Sequence, residues 1–416
     1  MGRMYRRNLM SVVLEALGDT PVVLIHGPRQ AGKSTLAKMV IESGHPAAYL
    51  SLDDATVFQA ATDDPTGFFA GLQGPVVIDE WQRAAALART IKQQVDAHRE
   101  SGRFLLTGSA SAFALPELSD SLAGRMEIVT LWPLSQGEIA GKRDNFVDTL
   151  FGSGSLTPGD AESVDRIIAR LTCGGYPVAV DRSTPVRRNA WFDSYVTAIL
   201  QRDVRDLANI ERLADMPRIL RLLAARSASL LNYAELSSLL AIPQQTLKRY
   251  LALLEAVFLV RMLPAWSRNR GRRLTKAPKV VVSDSGLACF LLGVDERRLT
   301  QDRVQFGLLL EGFVIMEIIK QLGWTGAPAS AMHFRDHVGN EVDLVLESRD
   351  GSLVVVEVKA AATVGSSDFK GMRSFAALAG SDFRRGVVLY TGNDVVPFAE
   401  DLHAVPLQAL WQESQA

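Results

Sequence analysis

Residues Gly27–Ser34 read GPRQAGKS, a G-x-x-x-x-G-K-[ST] string set between the apolar run Pro21–His26 and a helix-like stretch. No other feature constrains the fold of this chain as strongly. Glycines at the first and sixth places let the backbone curl until successive N–H groups converge on an anion, and the following helix adds the positive end of its dipole. Such a loop needs a parallel sheet behind it. Ala47–Leu52, Pro75–Ile78, Arg103–Thr107 and Met126–Leu131 are short, β-rich and separated by helical patterns, which is the alternation of βαβ units.

Inside the loop, Gly27, Pro28, Arg29, Gln30, Ala31, Gly32, Lys33, Ser34 and Thr35 are expected to surround the phosphates of ATP. Lys33 would bridge the β- and γ-phosphates, and the Ser34 hydroxyl would ligate Mg2+. Val76–Glu80 (VVIDE) ends an apolar strand in two acids. Asp79 would hold the Mg2+ through water, and Glu80 would orient or deprotonate the attacking water. Thr107–Ser109 (TGS) ends the next strand, where Ser109 either senses the γ-phosphate or caps a helix. Arg125, in Ala123–Arg125 (AGR), either reaches a neighbouring subunit's nucleotide as an arginine finger or lies on the surface. Trp81 is expected to pack beside this module, and His26 to be a strand-end residue rather than a base.

Composition bounds the rest. The chain has 416 residues, 47% of them hydrophobic, and a formal charge of -1. That is enough apolar material for more than one core, and it excludes a basic coat over the whole surface, so any nucleic-acid contact must be local. Two cysteines, Cys173 and Cys289, make no disulfide framework, which points to a reducing compartment. No apolar run approaches the roughly 18 residues of a membrane span. Arg3, Arg6 and Arg7 ahead of apolar residues faintly suggest a signal peptide, but Glu15 interrupts the stretch and no cleavage site follows. Gly2 lacks the Ser or Thr that myristoylation needs. The expectation is a cytoplasmic protein without membrane contact.

After a Gly/Ser/Pro-rich connection at Phe151–Asp160, the pattern is helical to about Ala228. Tyr233–Leu240, a turn at Ala241–Pro243 and a helix over Pro243–Val257 follow, then strands at Phe258–Leu263 and Lys279–Ser283. This is a helix-turn-helix with a two-stranded wing. The loop between the strands, Arg268–Lys279 (RNRGRRLTKAPK), holds six basic residues and no acid. Arg268, Arg270, Arg272, Arg273 and Lys276 there, with Lys248 and Arg249 early in the second helix beside Thr246, are placed to meet DNA phosphates. The same features also suit a protein-interaction module, and nothing suggests sequence specificity.

The last part begins with a helix over Arg303–Leu322. Strands at His333–Arg335, Glu341–Glu347 and Ser352–Lys359 follow, then a helix and strands at Gly386–Tyr390 and His403–Pro406. Glu311 lies in the helix, Asp343 on the second of these strands, and Glu357 and Lys359 two apart on the third, hence on one face. Asp343 and Glu357 could hold a second Mg2+ or Mn2+, with Lys359 activating a water for phosphodiester attack. Glu341 is an extra ligand or a solvent-facing residue. The order Glu, Asp, Glu-x-Lys resembles the PD-(D/E)xK nucleases, with Val342 where their usual Pro stands. A surface ion pair between Glu357 and Lys359, on a fold that has lost its activity, is the competing reading. His333 and His337 lie in a strand-and-turn region, where helical metal spacing does not apply.

Taken together, GPRQAGKS, VVIDE, LLTGS, SLAGR…LWPLSQGEI and YVTAILQRDV resemble a large group of prokaryotic AAA-type ATPases. The resemblance implies ATP binding, hydrolysis and a homo-oligomer, but no substrate. It implies an α/β architecture in modules: a P-loop NTPase parallel sheet over 1–150, a helical region over 151–228, a winged helix over 229–298 and a small nuclease-like α/β domain over 299–416. Two functions stay open: an ATPase that acts on DNA and cuts it, or an ATP-dependent switch whose later modules bind a partner without cleavage.

Overall fold

A computed structural model describes residues 3–84, 86–109, 122–207 and 213–412. Ser121, the first residue of SLAGR, lies outside them. After helix α1 (Met10–Asp19) come strands β1 (Val22–His26), β2 (Ala48–Ser51), β3 (Val76–Asp79), β4 (Phe104–Gly108) and β5 (Met126–Thr130), with helix α2 (Lys33–Glu42) after β1. They form a five-stranded sheet in the order β2-β3-β4-β1-β5, with every pair parallel. Successive residues of β1 explain why both faces are covered. Val22 and Leu24 enter one core with Trp81, Leu87 and Ile91, while Val23 and Ile25 enter another with Leu9, Val13, Leu36 and Val40. Because all strands run one way, the loops after β1, β3 and β4 gather at one edge.

The middle region is helical and includes helix α3 (Pro185–Ala198), which continues into a π-helical turn at Ile199–Val204. Helix α4 (Met216–Ala225), strand β6 (Ser229–Leu230), helices α5 (Tyr233–Leu240) and α6 (Gln244–Ala256), and strands β7 (Val260–Leu263) and β8 (Lys279–Val282) then form a helix-turn-helix with a three-stranded sheet in the order β6-β8-β7. Pro243 caps α6 rather than opening it. The third strand, β6, is only two residues long, too short to leave a periodic pattern in the sequence.

The C-terminal part is a separate α/β sheet. Helix α7 (Arg303–Gln321) precedes strands β9 (Ala329–Arg335), β10 (Glu341–Ser348), β11 (Leu353–Lys359), β12 (Phe383–Tyr390), β13 (Val396–Pro397) and β14 (Leu402–Pro406), ordered β13-β14-β12-β11-β10-β9. Strands β9 to β11 pair antiparallel, and β11, β12 and β14 pair parallel. Val354 and Val356 of β11 belong to one continuous core with Leu223, Leu254, Val281 and Phe313, in which α7 packs against both β11 and β8. Val355 turns to the other face, with Trp266 and Phe375. The Trp266 N–H also donates to the His333 carbonyl at 2.6 Å, tying the chain after β7 to the edge strand β9.

Candidate functional site

The loop between β1 and α2 has the backbone that its glycines permit. Gly32 sits at φ 99, and a Cβ on Gly27 would meet the Leu131 carbonyl oxygen at 2.1 Å. Lys33 is buried, and its ammonium donates to the carbonyls of Gly27 at 3.0 Å and Pro28 at 2.9 Å. Burial lowers this group to about 8, although Glu80 and Asp79 pull the other way. The Ser34 hydroxyl donates to Asp79 Oδ1 at 2.9 Å, and the Tyr49 hydroxyl donates to Asp79 Oδ2 at 2.7 Å. Thr107 closes the same group, donating to Asp79 and accepting the Glu80 N–H. A hydroxyl and a carboxylate side by side at the head of a helix are the hard oxygen donors that Mg2+ takes, so the residues fit a nucleotide-bound Mg2+.

Glu80 holds a left-handed backbone at φ 56, sparsely populated for a residue with a side chain. The turn carries its carboxylate out of the strand line, and Gln82 donates both to that carboxylate and to the Ser109 hydroxyl. Strands β3 and β4 therefore deliver Asp79, Glu80 and Ser109 to one edge beside Lys33. A cleft of about 380 Å3 opens there, lined by Arg29, Lys33, Ser34, Asp53 and Glu80 together with Pro177 and Arg202 of the helical region. The π-helical turn that carries Arg202 is tied to the loop, since Arg29 pairs with Asp203 at 3.5 Å and the Tyr195 hydroxyl donates to the Arg29 carbonyl.

A model of the AAA domain matches residues 19–140, and models of two domains of unknown function, DUF8612 and DUF4143, match 164–298 and 306–410. The uncharacterised proteins Rv2008c of Mycobacterium tuberculosis and Mb2031c of Mycobacterium bovis are each 32% identical to the chain over 401 residues, covering 96% of it and 83% of the relative. The chain belongs to their family, with an AAA-type P-loop ATPase fold at its head. Among solved structures, the Walker-type ATPase PABY2304 of Pyrococcus abyssi is 16% identical, with a TM-score of 0.44, covering 69% of this chain and 96% of that one. The RuvB Holliday junction branch migration motor of Thermotoga maritima is 18% identical, with a TM-score of 0.28, covering 64% and 92%.

Arg125 of this family member sits at the opposite end of the sheet. Its carbonyl accepts the N–H of Val22, the first residue of β1, and its guanidinium pairs with Asp96 at 2.5 Å. It does not reach the cleft of its own chain.

The basic loop is less uniform than its sequence. Arg268, Arg270, Arg272 and Lys276 are exposed, as are Lys248 and Arg249. Arg273 instead pairs with Glu347 at 2.7 Å, and the Lys248 ammonium lies 5.2 Å from the Tyr233 ring centre. Lys279, counted among the six basic residues of the loop, corrects that reading: it is buried as the first residue of β8 and faces the C-terminal carboxylates.

Glu311, Asp343, Glu357 and Lys359 do converge. Lys359 pairs with Glu357 at 2.8 Å, and Asp343 Oδ2 accepts the Val358 N–H at 3.0 Å. Lys279 enters between the others, 2.6 Å from Glu311 and 3.2 Å from Asp343. Glu341 is exposed and pairs with Arg335 at 3.7 Å. Among the described residues no group of three or more His, Cys, Asp or Glu side chains is arranged to hold a metal ion. As arranged, these residues do not fit the second Mg2+ or Mn2+.

Sequence reasoning missed three parts of the nucleotide site. Arg7 braces the back of the loop, Tyr49 holds Asp79, and Arg202 lines the cleft from the helical region. Each acts across a separation that no local pattern encodes. Only Arg202, within the LQRDV motif, carried any signal.

Proposed function

We propose that this chain hydrolyses ATP and that the nucleotide state acts as a switch on the modules that follow. The observation that carries the reading is the convergence of Lys33, Ser34 and Glu80, with Asp79 behind Ser34, in one cleft whose far wall belongs to the helical region. Bound Mg2+ would neutralise phosphate charge as the bond to the γ-phosphate breaks. The Lys33 ammonium would exchange two carbonyls for phosphate oxygens, a stronger charge-assisted pairing. Glu80, with one carboxylate oxygen held by Gln82, would orient the attacking water and take its proton through the other. Arg202 would follow the phosphates from the far wall of the cleft, carrying the helical region with it.

Association with DNA fits the second part of this reading. Arg268, Arg270, Arg272 and Lys276 are exposed on the loop of a winged-helix-like arrangement. The order of α7, three antiparallel strands, a helix and a parallel strand agrees with the expected nuclease-like fold, but Lys279 between Glu311 and Asp343 favours a switch over cleavage. Assembly into a homo-oligomer is the arrangement in which Arg125 could serve a neighbour's cleft.

Calorimetry with ATP and Mg2+, alongside phosphate release, tests the proposal. Lys33→Ala should lose nucleotide binding. Glu80→Gln should keep binding and stall turnover; unchanged turnover in that variant would overturn the role given to Glu80.

A further inference from the structure

The carboxylate cluster of the C-terminal sheet draws its cation from another part of the chain. Glu311 stands on α7, Asp343 on β10 and Glu357 on β11, whereas Lys279 opens β8 of the three-stranded middle sheet. The Lys279 side chain is 6% exposed and that of Asp343 9%, while Glu311 is partly buried at 18%. A buried ammonium is costly unless carboxylates answer it directly. Here two do, at 2.6 and 3.2 Å.

Three carboxylates face two ammoniums, Lys279 and Lys359, so one negative charge is left over. Burial and the neighbouring Asp343 push Glu311 up to about 8 and Glu357 up to about 7, against the pull of the two lysines. Burial alone would lower Lys279, but Asp343 and Glu311 hold it above the ordinary lysine value. Four of the six carboxylate oxygens a metal could use are also engaged: Glu311 Oε1 and Asp343 Oδ1 by Lys279, Asp343 Oδ2 by Val358, and Glu357 Oε1 by Lys359.

We propose that the Lys279 ammonium is the resident cation of the Glu311–Asp343–Glu357 cluster, holding the place a divalent ion would take and pinning β8 to the C-terminal sheet. The inference goes beyond ATP hydrolysis and does not depend on it. It makes the cluster a latch between two modules. The pocket admits a metal only when Lys279 leaves, and the basic loop that ends at Lys279 moves with it. The Trp266–His333 hydrogen bond fastens the other end of the same loop to β9.

The test is a Mn2+ titration of the nucleotide-free full chain, with free Mn2+ followed by electron paramagnetic resonance. Lys279→Met should bind one more Mn2+ per chain than wild type, and Lys279→Met/Asp343→Asn should lose that ion again. A folded Lys279→Met protein that binds no more Mn2+ than wild type overturns the proposal. So does a wild-type site that already binds Mn2+ and loses it on Asp343→Asn. Should Lys279→Met fail to fold, Lys279→Met/Glu311→Gln restores the charge balance and should fold; a double variant as unstable as the single one counts against the latch. None of these substitutions touches the nucleotide cleft, so ATP turnover reports separately on that site.

Discussion

The Arg7 guanidinium donates to the Ala31 carbonyl at 2.7 Å, so a residue near the start of the chain holds the phosphate-binding loop from behind. The same group donates to the Trp132 carbonyl at 2.7 Å and pairs with Glu138 at 3.1 Å, whose other oxygen accepts the Ser135 N–H in a capping box. The PLSQGE segment is therefore the brace of the loop. Removing Arg7 leaves the Glu138 carboxylate buried without its cation, a loss of about 3–5 kcal/mol for broken buried pairs. Arg7→Met should lower the urea midpoint accordingly and weaken ATP binding. Unchanged affinity and stability would show that the brace is idle.

Gly27 has no room for a side chain. Overpacking of this kind costs about 1–3 kcal/mol, and the oxygen in the way belongs to the Leu131 backbone rather than to a side chain that could swing aside. Gly27→Ala should displace the loop and abolish ATP binding measured by calorimetry, with Lys33 intact.

Nucleotide affinity should depend on pH in a stated direction. Burial sets the Lys33 ammonium at about 8 in the free protein. Only the protonated form pairs with phosphate, so affinity is full below that value. It should fall by about tenfold per pH unit well above it. A flat titration through that range would contradict the buried setting of Lys33.

The carboxylate cluster predicts a second pH effect. Glu311 and Glu357 are raised from 4.5 to about 8 and about 7. The folded chain therefore holds more protons than the unfolded one between those values, and stability falls as pH rises through the window. Each extra bound proton contributes a slope of up to about 1.4 kcal/mol per pH unit. Buried Asp144, raised to about 7, adds the same sign. The difference between wild type and Glu311→Gln in urea unfolding isolates the cluster, and the variant should show the shallower slope.

For the basic loop, reversing charge at Arg270 and Arg272 should weaken DNA binding across all sequences alike. The slope of log K against log salt should shrink by about 0.9 for each duplex phosphate that the variant no longer neutralises. An unchanged slope would place the DNA-binding surface elsewhere.

The sequence by itself determined the P-loop module at the head of this protein, because its information is local. The G-x-x-x-x-G-K-S string, the apolar run ending in Asp79 and Glu80, and the alternation of strands and helices follow from backbone sterics and periodicity. Their strands came out within a residue or two. What only the tertiary structure decided was which charged side chains face each other. Arg7 opens the chain beside residues that hinted at a signal peptide, yet it ends up behind the loop. Lys279 belonged by composition to a phosphate-facing stretch, yet β8 pairs with β7 so that Lys279 lies opposite Leu263, and packing against α7 turns it inward. A lysine carries no local preference for a carboxylate 32 or 64 residues away. Burial in a shared core makes that pairing obligatory, because an ammonium taken out of water must find its countercharge wherever the fold has put one.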